Sequence, residues 1–150
     1  MPRAEKDYVD FIGLLNKHKV EYLIVGAFAL AVYSRPRNTG DIDIFINPAP
    51  ENASSIFNAI EEFGFSDIGI TVQDFLTEGS IIQLGISPVR IDILTSIDGV
   101  TFGECYERKE RLRFGQTSAD FISRIDLIKN KMSSNRAKDK ADLDELSKFE

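Results

Sequence analysis

The stretch YLIVGAFALAVYSRPRNTGDIDIFI, residues 22–46, carries most of the structural information in the chain. Residues 22–25 form a short β-branched and aromatic run, which predicts a strand, and Gly26 interrupts it. Residues 27–33 are apolar and compact, which favours a helix. Gly26 lets the backbone approach a ligand closely, and the start of the following helix would direct free N–H groups toward an anion. This half of the stretch therefore predicts a phosphate-binding turn.

The second half of the stretch, residues 40–46, alternates acidic and apolar residues before it ends in an apolar run. Successive side chains of a strand point to opposite faces, so Asp41 and Asp43 would project to the same side. Two neighbouring carboxylates raise one pKa unless a cation neutralises them. Mg²⁺ in phosphate chemistry is held by one or two carboxylates together with substrate oxygens. The pair therefore predicts a divalent metal ion, whereas Asp-x-Asp taken alone fits a solvated surface equally well.

A third carboxylate, Asp92, strengthens the metal hypothesis. It lies within residues 89–94, an apolar strand pattern in which an unpaired carboxylate is costly to bury. If this strand lies beside the strand of Asp41 and Asp43, three carboxylates could hold two metal ions. Such a pair of ions stabilises the attacking and the leaving oxygen of a phosphoryl displacement.

These residues resemble the signature of the nucleotidyltransferase superfamily of the polymerase beta type, which is a small-residue turn, an Asp-x-Asp pair and a distant third Asp. Gly26, Asp41, Asp43 and Asp92 occupy those places. The most similar branch is a small bacterial one, near abortive-infection toxin nucleotidyltransferases and antibiotic nucleotidyltransferases, in which an Arg-x-Thr-x-Asp-x-Asp run is usual. Residues 37–43, RNTGDID, fit that run in full, and the resemblance spans most of the chain.

The resemblance implies transfer of NMP from an NTP such as ATP to a hydroxyl acceptor, with Mg²⁺ or Mn²⁺ as cofactor and pyrophosphate as product. Asp41 and Asp43 would bind both metal ions, and Asp92 would complete the site on the nucleophile side and take the hydroxyl proton. A lysine-containing helical segment near the C-terminus, residues 126–139, is also similar to that branch. The residues implied in nucleotide binding are Gly26, Ala27, Arg37, Thr39 and Lys131.

The turn departs from the family pattern at Ala27, where a second Gly or a Ser is usual. A hydroxyl contact to phosphate is then missing, although backbone N–H donors are retained. This departure keeps open a noncatalytic member that binds a nucleotide or a partner protein, for example as one component of a toxin-antitoxin pair. A second alternative is a metal-dependent glycosyltransferase that uses Asp-x-Asp on a nucleotide sugar, which the short chain and Asp92 disfavour.

The length of 150 residues predicts a single domain, and the resemblance implies that this domain, residues 1–150, is nucleotidyltransferase-like. Its catalytic core would cover residues 1–115 and a C-terminal helical segment residues 118–150. The apolar stretches are shorter than the ~20 residues that a membrane span needs. The N-terminus is charged rather than signal-like, so we expect a cytoplasmic protein without a membrane partner. The single cysteine, Cys105, excludes an internal disulfide.

A net charge of −6 disfavours a broadly basic nucleic-acid surface and favours a small substrate. Two local clusters are exceptions, with four basic residues within 108–113 and five within 129–140. Either cluster could contact a triphosphate or tRNA, or could be a solvated face. The acceptor therefore stays open between a small molecule, a tRNA and a protein.

Apolar periodicity predicts covering helices over residues 4–17 and 51–63. Residues 81–86 and 89–94 are most simply an antiparallel hairpin, and residues 107–114 an edge strand. Residues 66–80 would form a loop and a short strand, and residues 118–120 predict the start of a helix. We therefore expect an α/β (α+β) fold with a mixed twisted sheet of four to five strands flanked by helices.

Overall fold

The computed structural model describes residues 3–34, 40–65, 69–85 and 89–148. Within these ranges the chain forms a mixed sheet of six strands flanked by six helices, and a short 3-10 helix at Val72–Phe75. The strands are β1 (Tyr22–Val25), β2 (Ile42–Ile46), β3 (Ile81–Leu84), β4 (Ile91–Leu94), β5 (Glu110–Phe114) and β6 (Thr117–Phe121). The helices are α1 (Arg3–Lys17), α2 (Gly26–Tyr33), α3 (Pro50–Phe63), α4 (Phe102–Glu107), α5 (Arg124–Met132) and α6 (Ala137–Ser147).

The strand order is β3-β4-β2-β1-β6-β5. The central strand β2 pairs antiparallel with β1 and parallel with β4. Because β2 and β4 run in the same direction, the residues at their beginnings meet at one edge of the sheet. Both strands are largely buried, which explains why their sequences are apolar apart from the acids at this edge.

The core lies between the sheet and its covering helices. Helix α1 packs against α3 and β6, and directs Tyr8, Phe11, Ile12 and Leu15 inward at helical spacing. Helix α3 ends at Gly64, which adopts the left-handed conformation that commonly terminates a helix. The predicted covering helices are both present.

The fold class was predicted correctly, but the sheet has more strands than expected because β6 was missed. Residues 118–120 predicted a helix start, whereas the structure places them in β6, between β1 and β5. Asp120 is held there by an ion pair with Arg111 of β5, at 2.9 Å. Helix α5 begins only at Arg124, where the Ser123 hydroxyl caps it by accepting a hydrogen bond from the Asp126 amide.

The predicted hairpin is confirmed, since β3 and β4 pair antiparallel, and β5 is an edge strand as expected. The prediction of a short strand within residues 66–80 is wrong for residues 69–80, which the structure describes and which contain the 3-10 helix instead. Among the described helices, none has the length and apolar character required to cross a membrane.

Candidate active site

Three acidic side chains meet at the edge of the sheet where β2 and β4 begin. Asp43 of β2 lies opposite Asp92 of β4 in the parallel register, and Asp41 immediately precedes β2. Each residue offers a carboxylate oxygen, and these three oxygens lie within 4.8 Å of one another. The structure therefore brings together the three acids that the sequence proposed as metal ligands.

The surroundings of Asp43 alter its pKa. Burial, together with the nearby charges of Asp41 and Asp92, raises the pKa of Asp43 to about 6. Lys138 and Lys131 oppose the shift only in part. Without a further cation, the cluster is an unfavourable concentration of negative charge.

Gly26 forms the turn that precedes α2, and its backbone lies directly against the acids. Its φ of +66° is in the left-handed region, which strains other residues. A β-carbon at this position would also collide with the Oδ2 atom of Asp43. Glycine is therefore required both by the turn and by the close approach of the Asp43 carboxylate.

A cavity of about 530 Å³ opens in front of the acids. Gly26 and the three acids line one part of it, and residues of α5, α6 and the intervening loop line another part. The cations on its wall are Arg90, Lys131, Arg136 and Lys138. This volume lies in the range of small-ligand pockets, and its mixture of charges suits a phosphorylated ligand held with a metal ion.

Lys131 and Arg136 have carboxylate partners in α6. The buried Lys131 ammonium lies 2.8 Å from Asp139 and 3.1 Å from Asp142, and Arg136 lies 2.8 Å from Asp139. Lys138 forms no ion pair with any residue in the described ranges. Lys138 is therefore the cation on this wall that is best placed to receive a ligand anion.

Arg90 makes a two-point contact with Asp92. Its Nε donates to Oδ1 at 3.1 Å, and its terminal nitrogen donates to Oδ2 at 3.0 Å. The Asp92 side chain is 8% exposed and that of Arg90 is 42% exposed. Arg90 therefore neutralises Asp92 while keeping one face toward the cavity.

Tyr8 of α1 links the two chain segments that carry the acids. Its buried hydroxyl accepts a hydrogen bond from the Arg90 amide at 3.2 Å and donates to the Gly40 carbonyl at 3.5 Å. Burial raises the pKa of Tyr8, so this hydroxyl keeps its proton at neutral pH. The phenol therefore helps to set the spacing between Asp41 and Asp92.

Only some of the residues predicted to bind the nucleotide line the cavity. Gly26 and Lys131 line the cavity, and Ala27 follows Gly26 in α2 without lining it. Arg37 and Thr39 lie outside the described residues. The basic cluster at residues 108–113 does not line this cavity. In that cluster Arg108 binds Asp126 at 2.8 Å, and Arg111 binds Asp120. Two of the four basic residues of that cluster are therefore held in structural ion pairs.

Sequence reasoning missed Arg90, Tyr8 and Lys138 as site residues. Arg90 could have been predicted from the sequence. Residues two apart on a strand share a face, so Arg90 lies beside Asp92. Tyr8 could not have been predicted, since it is 82 residues away from its partner Arg90. Lys138 belongs to a basic cluster in the sequence. It differs from Lys131 and Arg136 of that cluster because both of these form ion pairs with acids of α6.

The donor set fits a divalent cation of the magnesium type. All three ligands are carboxylates, and oxygen is the donor that Mg²⁺ and Mn²⁺ prefer. Burial and the charges of Asp41 and Asp92 raise the pKa of Asp43, and a cation would favour its charged form. The cavity beside it leaves room for the substrate oxygens that complete magnesium coordination.

The glycine turn and the three carboxylates thus lie together where β2 and β4 begin. The chain belongs to the family described as nucleotidyl transferase of unknown function (DUF2204), whose model matches residues 4–150. It is therefore a nucleotidyltransferase, and an NTP donor and an acceptor follow from that class.

Two solved structures share the fold. A candidate nucleotidyltransferase from Thermotoga maritima is 21% identical, with a TM-score of 0.56 over 82% of this chain and 80% of that one. Lincosamide antibiotic adenylyltransferase LnuA, solved with lincomycin bound, is 14% identical, with a TM-score of 0.60 over 100% of this chain and 99% of that one. No curated protein matches the sequence significantly.

Proposed function

We propose that this protein transfers NMP from an NTP to a hydroxyl acceptor in a Mg²⁺- or Mn²⁺-dependent reaction that releases pyrophosphate. The observation that carries the proposal is the convergence of three carboxylate oxygens within 4.8 Å beside the glycine turn and the cavity. Membership of a nucleotidyl transferase family supplies the reaction class.

Asp41, Asp43 and Asp92 would hold the metal. When bound, it would supply the positive charge that stabilises the attacking oxygen and the triphosphate. Asp92 is the proposed acceptor of the hydroxyl proton, which requires one of its oxygens to be released by Arg90. Asp43 lies closest to the Gly26 turn and would bind the metal on the donor side.

The donor triphosphate would lie between the start of α2 and the cations of α6. Helix α2 begins at Gly26 and has no acidic residue in its first turn, so its N-terminal dipole is available to phosphate. Lys138 is our candidate for the direct side-chain contact. Lys131 is assigned a supporting role, because its ammonium already binds Asp139 and Asp142. Arg37 and Thr39 remain proposed nucleotide contacts.

A small hydroxyl compound is the acceptor that we favour. The net charge of −6 disfavours tRNA, and LnuA, which shares the fold, is an adenylyltransferase solved with lincomycin bound. A protein acceptor within a toxin-antitoxin pair is the less favoured case. The cytoplasm is the proposed compartment, consistent with the buried free thiol of Cys105.

The test is a donor and acceptor screen with a mass readout. The purified protein is incubated with each NTP and Mg²⁺ against hydroxyl-bearing antibiotics, bulk tRNA and the protein alone. We expect pyrophosphate release and a mass increase of one NMP on a small acceptor, with both signals absent in EDTA and in Asp43→Asn. Equal NTP affinity in Mg²⁺ and in EDTA, without transfer, would instead establish the noncatalytic alternative that Ala27 keeps open.

A further inference from the structure

The Arg90–Asp92 pair is unusual for its position inside a proposed metal site. Both oxygens of Asp92 accept hydrogen bonds from one guanidinium, at 3.1 and 3.0 Å. One of these oxygens is also needed for a metal ion shared with Asp41 and Asp43. Arg90 and the metal therefore draw on the same carboxylate.

A second Arg–Asp pair elsewhere in the sheet is made by a single contact and has a different setting. Arg111 of β5 binds the buried Asp120 of β6 at 2.9 Å, and its side chain is 52% exposed. Asp120 does not belong to any cluster of three potential metal ligands among the described residues. Arg111 therefore has no competitor, whereas Arg90 lies beside a site that would attract a divalent cation.

We propose that Arg90 is an exchangeable counter-ion of the acidic cluster, which yields Asp92 to the metal and then binds the anionic donor in the same cavity. This inference rests on the proposed function. In the metal-free protein the guanidinium neutralises Asp92. When a divalent cation neutralises the cluster instead, the attraction that holds Arg90 on Asp92 is weakened.

The position of Arg90 permits this exchange. Its side chain is 42% exposed and lies on the cavity wall, so it can move away from Asp92 without disturbing the core. Its backbone amide stays bound to the Tyr8 hydroxyl at 3.2 Å, which anchors the residue while the side chain moves. A guanidinium released into this cavity presents a planar set of donors that suits phosphate oxygens.

The test compares binding rather than catalysis. Mn²⁺ affinity is measured by calorimetry at fixed pH for wild type, Arg90→Met, Arg90→Lys and the matched control Arg111→Met. Removing a positive charge that competes for Asp92 should tighten Mn²⁺ binding by roughly tenfold in Arg90→Met. Arg90→Lys should lie between wild type and Arg90→Met, because lysine keeps the charge but not the two-point contact. Arg111→Met should match wild type.

The second half of the proposal is tested with ATP at saturating Mg²⁺. Arg90→Met should bind ATP more weakly than wild type although it binds the metal more tightly, a reversal that general loss of structure does not produce. A melting curve in EDTA establishes that each variant is folded, and Arg90→Lys carries the test if Arg90→Met is not.

The two proposals fail in distinguishable ways. If wild type binds Mn²⁺ and Arg90→Met binds it equally or more weakly, the exchange is overturned and the metal site stands. If Arg90→Met binds Mn²⁺ more tightly but ATP with wild-type affinity, the donor contact is overturned. If wild type binds no Mn²⁺, the proposed function and the exchange fall together.

Discussion

The chain gathers carboxylates in two neighbouring clusters, and it balances their charge differently. Between α5 and α6, Lys131 binds Asp139 and Asp142, and Arg136 also binds Asp139. Burial alone would raise the pKa of Asp139, but hydrogen bonds from Lys131, Ser134 and Arg136 lower it to about 2. In this cluster the charges are satisfied within the protein.

At the edge of the sheet the balance is incomplete. No residue in the described ranges donates a hydrogen bond to the Asp43 carboxylate, and burial beside two other acids raises its pKa to about 6. The half-buried Asp43 carboxylate is only partly solvated, so a cation beside it would favour its charged form. The comparison indicates that the α5–α6 cluster is structural, and it supports our proposal that a ligand completes the cluster of Asp41, Asp43 and Asp92.

The largest change in the free energy of unfolding is expected from removing the Lys131 ammonium. Lys131→Met leaves Asp139 and Asp142 buried without their shared cation, which should lower the free energy of unfolding by about 3–5 kcal/mol. Urea denaturation measures this loss. The control is Lys148→Met, because the exposed Lys148 ammonium lies 4.0 Å from Glu145 and should contribute less than about 1 kcal/mol. A small effect of Lys131→Met would remove the distinction between the clusters.

Gly26→Ala should damage the other cluster through sterics. The left-handed backbone and the collision with Asp43 together should lower stability by about 2–4 kcal/mol and weaken Mn²⁺ binding. Gly79→Ala is a matched control, because Gly79 has a φ of +81° but open space around its missing β-carbon. Gly79→Ala should therefore show backbone strain alone, with unchanged Mn²⁺ affinity, whereas equal effects of both changes would argue against the close approach.

The two clusters should respond to pH in opposite directions. The folded-state pKa of Asp43, about 6, lies above the ordinary value of 3.8, so stability in EDTA should fall as pH rises from 4 to 6. The expected loss is about 2 kcal/mol after allowance for partial exposure. Asp139, with a pKa lowered to about 2, contributes stability that is lost as pH falls below 4.

Urea denaturation of wild type and Asp43→Asn across pH 4–7 isolates the Asp43 contribution. The variant should lack the decline between pH 4 and 6. An identical pH profile for the two proteins would show that Asp43 titrates normally.

The smallest effect is expected from the hydroxyl of Tyr8. Tyr8→Phe removes the hydrogen bonds to Arg90 and Gly40, which should cost about 1 kcal/mol and weaken Mn²⁺ binding severalfold. Tyr33→Phe removes a 2.7 Å hydrogen bond to the Ile122 carbonyl, away from the acids. It should cost similar stability without any change in Mn²⁺ affinity. If both variants bind Mn²⁺ alike, Tyr8 has no part in positioning the acids.

The three acids, the covering helices and the β3–β4 hairpin could be predicted from the sequence, because local patterns indicate them. Acids alternating with apolar residues predicted the edge where Asp41 and Asp43 lie, and an acid within an apolar run singled out Asp92. Hydrophobic periodicity identified the covering helices and the β3–β4 hairpin. These signals depend on neighbouring residues and on the period of the backbone.

Features that depend on distant partners were not visible. Strand β6 resembles a helix start locally, and only its pairing with β1 and β5 makes it a strand. Lys131 forms its ion pairs because α5 and α6 fold back on each other and place Asp139 and Asp142 around its ammonium. Tyr8 acts across 82 positions, a relation that no local pattern records.

The most direct test of the central claim is the unfolding of Asp43→Asn in EDTA and in Mn²⁺. Relief of repulsion among the acids should make the metal-free variant at least as stable as wild type, while the stabilisation by Mn²⁺ seen in wild type should disappear. If Asp43 is instead an ordinary structural residue, the metal-free variant should lose about 1–3 kcal/mol and Mn²⁺ should affect both proteins equally. That second result would contradict the assignment of the acidic cluster as a metal site.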